Sequence, residues 1–104
     1  MRRVALDPTL MRDAAAEATA MLRALANEDR LLLLCALSQG ERSVGELEAL
    51  LDLHQPSLSQ QLGVLRTEGL VSTRREGKYI FYSIDNPEVL ALLKALYKLY
   101  CPQP

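Results

Sequence analysis

Between Leu53 and Gly69 the chain reads LHQPSLSQQLGVLRTEG, a stretch dense in side chains that both donate and accept hydrogen bonds. Gln55, Ser57, Ser59, Gln60 and Gln61 supply amides and hydroxyls, Gly63 leaves the backbone bare, and no charge intervenes before Arg66. Water-facing helix surfaces normally use Lys and Glu, whereas groups that donate and accept together match the edges of DNA bases. Leu58, Leu62 and Leu65 recur at i, i+4 and i+7, a narrow apolar seam that decides which side of a helix stays open. By angle, Pro56, Gln60, Gly63 and Thr67 point away from that seam and Ser59 flanks them. Gln55 and Ser57 belong to the first turn, where side chains and free N–H groups reach bases or phosphates. The stretch therefore predicts a DNA-reading helix. The other reactive groups are few: two cysteines, Cys35 and Cys101, and one histidine, His54. In a cytosolic protein a disulfide is rarely structural and more often redox-sensing or catalytic.

A reading helix needs a frame, and the flanking residues spell one. Asp7 and Pro8 form a cap and first-turn signal. Met11, Ala15, Ala18, Leu22 and Leu25 then follow at helical spacing to about Ala26. This stripe of small and flexible residues contributes little core alone but lets another helix approach closely, which suits docking or dimerisation. From about Glu28 to Ser38, Leu31, Leu32, Leu33, Leu34, Cys35 and Leu37 make a helix apolar all round, hence covered on several sides. Gly40 ends it. Ser43 and Glu46 form a Ser-x-x-Glu capping box for a third helix through about Leu51, whose buried side is Leu47, Leu50 and Leu51. A short turn, Asp52–His54, leads into the reading stretch, the layout of a helix-turn-helix.

After Gly69 the period drops to two. Leu70–Arg75 and Lys78–Ile84, joined around Glu76 and Gly77, predict a β-hairpin with Arg74, Arg75 and Lys78 near its tip. A basic hairpin directly after a helix-turn-helix is a winged helix, and these cations are expected on phosphates or in a minor groove. Asn86 and Pro87 cap a last helix. Its Val89, Leu92, Leu93, Leu96, Tyr97, Leu99 and Tyr100 are too apolar for one small core, so it is expected to pair with the first helix across a two-fold dimer interface. The expected architecture is mainly α: a winged helix-turn-helix of five helices plus a two-stranded β-hairpin wing, in a homodimer.

With 49% hydrophobic residues, residues 1–104 suffice for one small globular domain with a modest core. Mean hydropathy is +0.00, and no apolar run approaches the roughly 18 to 20 residues that span a bilayer. The opening MRRVALDPTLMRDAAAEA lacks the apolar core of a secretory signal, so a cytoplasmic protein is expected. The net charge of −1 does not suggest a nucleic-acid binder, but its distribution permits one. Residues 1–53 carry six Lys/Arg against nine Asp/Glu, while residues 54–82 carry four against two. DNA binding needs positive potential where the phosphates lie, not over the whole surface.

ALANEDRLLLLCAL, SVGELEALL, QPSLSQQLGVLRTEGLVSTRREGKYIFYSI and the terminal LYC resemble the arsenic-repressor (ArsR/SmtB) family of bacterial winged-helix repressors. The resemblance runs from about Leu22 to nearly the end, and QPSLSQQLGVLR and the final cysteine are similar to the family's two-cysteine branch. It implies a repressor of double-stranded operator DNA, with Ser43, Gln55, Ser57, Ser59, Gln60, Arg74, Arg75 and Lys78 as DNA contacts. It further implies that Cys35 and Cys101 sense persulfides, polysulfides or other oxidants, and that their bridging releases the DNA. Where this chain has His54 the family often has serine, which weakens a cap there. Many relatives sense metals through paired cysteines on the third helix or Asp/His and His/Glu pairs on the last. Here the third helix has no cysteine and Asn86–Pro104 has no histidine, while a thiophilic metal normally takes three or four ligands. No metal or cofactor is therefore expected, and a metal-responsive repressor using the cysteines as ligands is the alternative. A thiol enzyme would need an activating partner for its cysteine, and no histidine or Cys-x-x-Cys lies near either one.

Overall fold

The computed structural model describes residues 7–101. Arg2 and Arg3 of the opening segment, and the two ends of the expected 1–104 domain, lie outside the described residues. Most helices begin at the caps written for them. Asp7 accepts the Thr9 N–H at 2.9 Å to open α1 (Pro8–Leu25). Asn27 accepts the Arg30 N–H at 3.0 Å to open α2 (Glu28–Leu37). After the short strand β1 (Arg42–Ser43), Ser43 and Glu46 close the full capping box of α3 (Val44–Leu51). Asn86, followed by Pro87, accepts the Glu88 N–H at 2.9 Å at the start of α5 (Pro87–Tyr100). The expected reading helix, α4 (Ser57–Thr67), differs: Pro56 stands at its N-cap and no side chain caps it. It therefore starts later than expected, and Gln55 lies before the helix, not in its first turn. At its other end Gly69, at φ 73°, completes a Schellman motif. The Gly69 N–H goes to the Arg66 carbonyl at 3.0 Å and that of Leu70 to Leu65 at 2.9 Å.

The wing is one strand larger than expected. β2 (Ser72–Glu76) and β3 (Tyr79–Ser83) form the hairpin, with Gly77 at φ 62°, as a type II′ turn asks of its first loop residue. β1 adds to the free edge of β3, Arg42 opposite Tyr82 and Ser43 opposite Phe81, making a three-stranded antiparallel sheet in the order β1-β3-β2. Two residues are too few for a period-two pattern. An N-cap residue holds extended backbone anyway, so Ser43 at φ −78°, ψ 164° serves as cap and strand at once.

Leu33 and Leu34 of α2, Leu47 of α3, the α4 seam Leu58, Leu62 and Leu65, and Val89 of α5 are almost wholly buried in one cluster. Each such burial is worth roughly 2 kcal/mol, so the seam alone seats α4 firmly while its opposite side stays in solvent. The outer helices are not enclosed. α1 is exposed from Pro8 to Ala20 and buries only Ala24 and Leu25, and α5 buries only Val89 and Leu93. The radius of gyration is 15.9 Å, against about 13 Å for a compact chain of this length. No described helix is long and apolar enough to cross a membrane.

Candidate nucleic-acid interface and cysteine cavity

On α4 the leucine seam turns Ser57, Ser59, Gln60, Gly63, Arg66 and Thr67 to solvent, with Gln55 and Pro56 exposed just ahead of them. The Ser59 hydroxyl donates to the Gln55 side-chain oxygen, so these two expected base contacts are held together. Nothing lies within 4 Å of where a Cβ on Gly63 would be. The open face thus has a flat patch at its centre where another backbone can come close. Gln61 departs from the rest of the uncharged set. It is half-buried, and its amide oxygen accepts a hydrogen bond from Arg30 Nη1 at 3.0 Å.

The other expected DNA contacts divide. Ser43 is half-buried and its hydroxyl oxygen accepts the Glu46 N–H at 3.2 Å, so it is already engaged as a cap. Arg75 and Lys78 are exposed on the wing, and no carboxylate among the described residues lies within ion-pair reach of either. Arg74 is exposed but occupied. Its guanidinium forks onto Glu41 at 2.7 to 2.9 Å, donates Nη1 to Glu76 at 2.7 Å, and lies 4.6 Å above the Phe81 ring. The hydrogen bonds it donates to Glu41 and then to Glu76 hold it protonated well above the usual arginine range. Glu41, distant in sequence, was not foreseen, and nothing local announces it. His54 lies 3.8 Å from Asp52, both exposed, and its carbonyl takes the Leu58 N–H at 3.0 Å.

Away from α4, the two cysteines face one hollow. A cavity of about 700 Å³ opens between α2, α3 and α5, with Cys35 on the α2 wall and Cys101 at the end of α5. Leu32, Leu50, Leu51, Leu90, Leu93 and Tyr97 make it apolar, and Lys94, which sequence reasoning passed over, supplies its only cation among the described residues. Both thiols are free, Cys35 half-buried and Cys101 exposed. Burial, and secondarily the neighbouring Cys101, push the Cys35 thiol up, because removing water penalises the thiolate. Among the described residues no three His, Cys, Asp or Glu side chains converge to hold a metal ion.

Residues 27–73 match the bacterial regulatory protein, arsR family. The chain is 54% identical over 91 residues to the biofilm growth-associated repressor of Agrobacterium fabrum, covering 88% of this chain and 78% of that protein. It is 49% identical over 86 residues to the transcriptional activator HlyU of Vibrio cholerae, covering 83% and 80%. Among solved structures, the transcriptional repressor BigR from Xylella fastidiosa superposes with a TM-score of 0.86 at 45% identity, over 94% of this chain and all of that one. A homodimeric winged helix-turn-helix domain from Mycobacterium bovis gives 0.71 at 30% identity, over 95% and 89%.

Proposed function

The chain belongs to the arsR family of bacterial regulatory proteins, and on that premise we propose a homodimeric repressor that releases operator DNA when Cys35 and Cys101 are bridged. In the reduced dimer one α4 lies in the major groove of each half-site, with Gln55, Ser57, Ser59 and Gln60 toward the bases and the wing cations on the backbone. The dimer forms through α1 and α5. What supports this pairing is the apolar surface both leave open, including Leu10 at 66%, Leu99 at 74% and Tyr100 at 79% exposure, together with the homodimeric relative of the same fold.

The observation that carries the switch is that two cysteines far apart in sequence line one cavity. Cys101, the exposed thiol, attacks the sulfane sulfur of an organic persulfide RSSH and expels the thiol RSH, which leaves a persulfide on Cys101. Cys35 then attacks the Cys101 Sγ and expels hydrogen sulfide, closing the disulfide. Overall the two protein thiols lose two electrons and two protons, and the organic persulfide is reduced to its thiol and hydrogen sulfide. A hydroperoxide closes the same bond with loss of an alcohol and water. Because the Cys35 thiol is pushed up, ring closure quickens with rising pH into the range where Cys35 ionises. The bond ties the end of α5 to α2, and since α5 sets the dimer geometry, the two reading helices shift or stiffen.

Gel-shift titrations of Cys35→Ser and Cys101→Ser, with and without an organic persulfide, test the switch. Both variants are expected to bind DNA and to keep it after treatment. Intact-mass analysis should find a closed bridge within one wild-type protomer, a retained persulfide on Cys101 in Cys35→Ser, and no bridge in Cys101→Ser. Release of DNA by both treated variants overturns the dithiol switch.

A further inference from the structure

Arg30 is a cation in the first turn of α2, where the helix dipole disfavours positive charge. Its side chain leaves that turn and gives every guanidinium nitrogen to another part of the molecule. Nε donates to the Ala24 carbonyl at 2.6 Å, Nη2 to the Arg23 carbonyl at 3.0 Å, and Nη1 to Gln61 Oε1 at 3.0 Å. The first two are carbonyls at the C-terminal end of α1, where a cation is favoured. The third is the flank of α4. Around this group α1 and α4 do not close on each other: a cleft of about 280 Å³, lined by Ala20, Ala24, Val64 and Glu68, separates them. Among the described residues, Arg30 to Gln61 is the only side-chain hydrogen bond that reaches α4 from another helix.

We infer that Arg30 is the positioning residue of the reading helix, setting the rotation of α4 against α1 through Gln61. The leucine seam holds α4 in place but is non-directional. Three buried leucines fix which side of α4 faces the core, but apolar contacts vary softly with angle and leave a roll of several degrees about the axis weakly opposed. A side-chain hydrogen bond on the flank of that seam is directional and stops the roll. Base readout tolerates little of it, because a working constellation must be held within about 0.5 Å and 10 to 20°. Gln61 thus belongs to the DNA machinery without being a DNA contact. The inference rests on α4 being the helix that reads the operator, and it is independent of the cysteine switch.

The test compares two duplexes, one selected from a random-sequence pool by the unmodified chain and one scrambled from it. Fluorescence anisotropy gives the affinity ratio, while sedimentation and thermal melting follow the dimer and the fold. Gln61→Ala is expected to lower the selected-to-scrambled ratio about tenfold, the scale of one lost hydrogen bond to a charged group, with dimer mass unchanged. Arg30→Lys, whose ammonium lacks the planar fork, is expected to lower the ratio similarly. Arg30→Ala combined with Gln61→Ala should do no more than Arg30→Ala alone, and addition of the two losses overturns the inference. An unchanged ratio in Gln61→Ala also overturns it. Gln60→Ala, on the open face of α4, tests the underlying reading separately. If it lowers the ratio while Gln61→Ala does not, only the positioning role fails; if neither does, α4 is not the reading element.

Discussion

At the scale of single residues, the wing shows that a basic side chain and an available charge are different things. Arg74 sits where a phosphate contact is expected, yet Glu41 and Glu76 already share its guanidinium. Phosphate contacts are electrostatic and release counterions, so each neutralised phosphate adds about 0.9 to the slope of log affinity against log salt. Glu41→Gln removes the charge from the forked partner and leaves Arg74 held by Glu76 and Phe81 alone, so that a phosphate competes for it more readily. It is expected to tighten binding to duplexes of any sequence and to steepen the salt slope by about one unit. Anisotropy titrations at several salt concentrations measure this, and an unchanged slope would show that Arg74 stays folded back in the complex. The cysteines make the same point. Cys35 looks like an ordinary small apolar residue of α2, and only the cavity that it shares with Cys101 gives it a chemical partner.

At the scale of elements, Ser43 ties three together. Its hydroxyl caps α3, its backbone N–H meets the Glu46 carboxylate at 2.9 Å, and its Cα register partner is Phe81 of β3, so the base of the wing and the start of α3 are one joint. Ser43→Ala is expected to lower the unfolding free energy by about 1 kcal/mol. The Glu46 carboxyl is held below its usual range, chiefly by the Ser43 backbone N–H and then by its hydroxyl. A carboxyl whose folded-state value is lowered contributes stability above its unfolded value and loses it as pH falls through the folded one. Glu46→Gln should therefore be less stable than the unmodified chain at neutral pH, with the gap closing on the acid side of the ordinary glutamate range. Urea unfolding across pH checks both variants, and a gap independent of pH would contradict the charge-assisted cap.

At the scale of the whole molecule, the exposed apolar faces of α1 and α5 govern the proposed assembly. Leu99 is 74% exposed and lies outside the buried cluster, so Leu99→Glu should leave the fold intact and act only on association. The expected result is monomer mass in sedimentation and weakened DNA binding. The unmodified chain should melt at a temperature that rises with protein concentration, as mass action requires for a dimer. Full dimer mass in Leu99→Glu would move the interface elsewhere. The same helix carries Lys94 and leads into Cys101, so in the proposed switch the dimer contact and the sensor share one rigid element.

What the sequence determined alone is what acts within a turn or two of chain. Asp7, Ser43 with Glu46, and Asn86 cap their helices, Leu58, Leu62 and Leu65 orient α4, and Gly77 bends the hairpin. These are short-range effects of hydrogen bonding, periodicity and backbone freedom, so they are legible one segment at a time, and with them the winged helix and the open polar face of α4. The tertiary structure alone decided which distant groups meet. It brought β1 onto β3, Glu41 onto Arg74, Arg30 onto Gln61, and both cysteines into one cavity. It also withdrew Gln61 from the open polar face of α4 and left Gln55 ahead of the helix. Such pairings depend on how helices pack across the core, and no local pattern records where a side chain thirty or more positions away will come to rest.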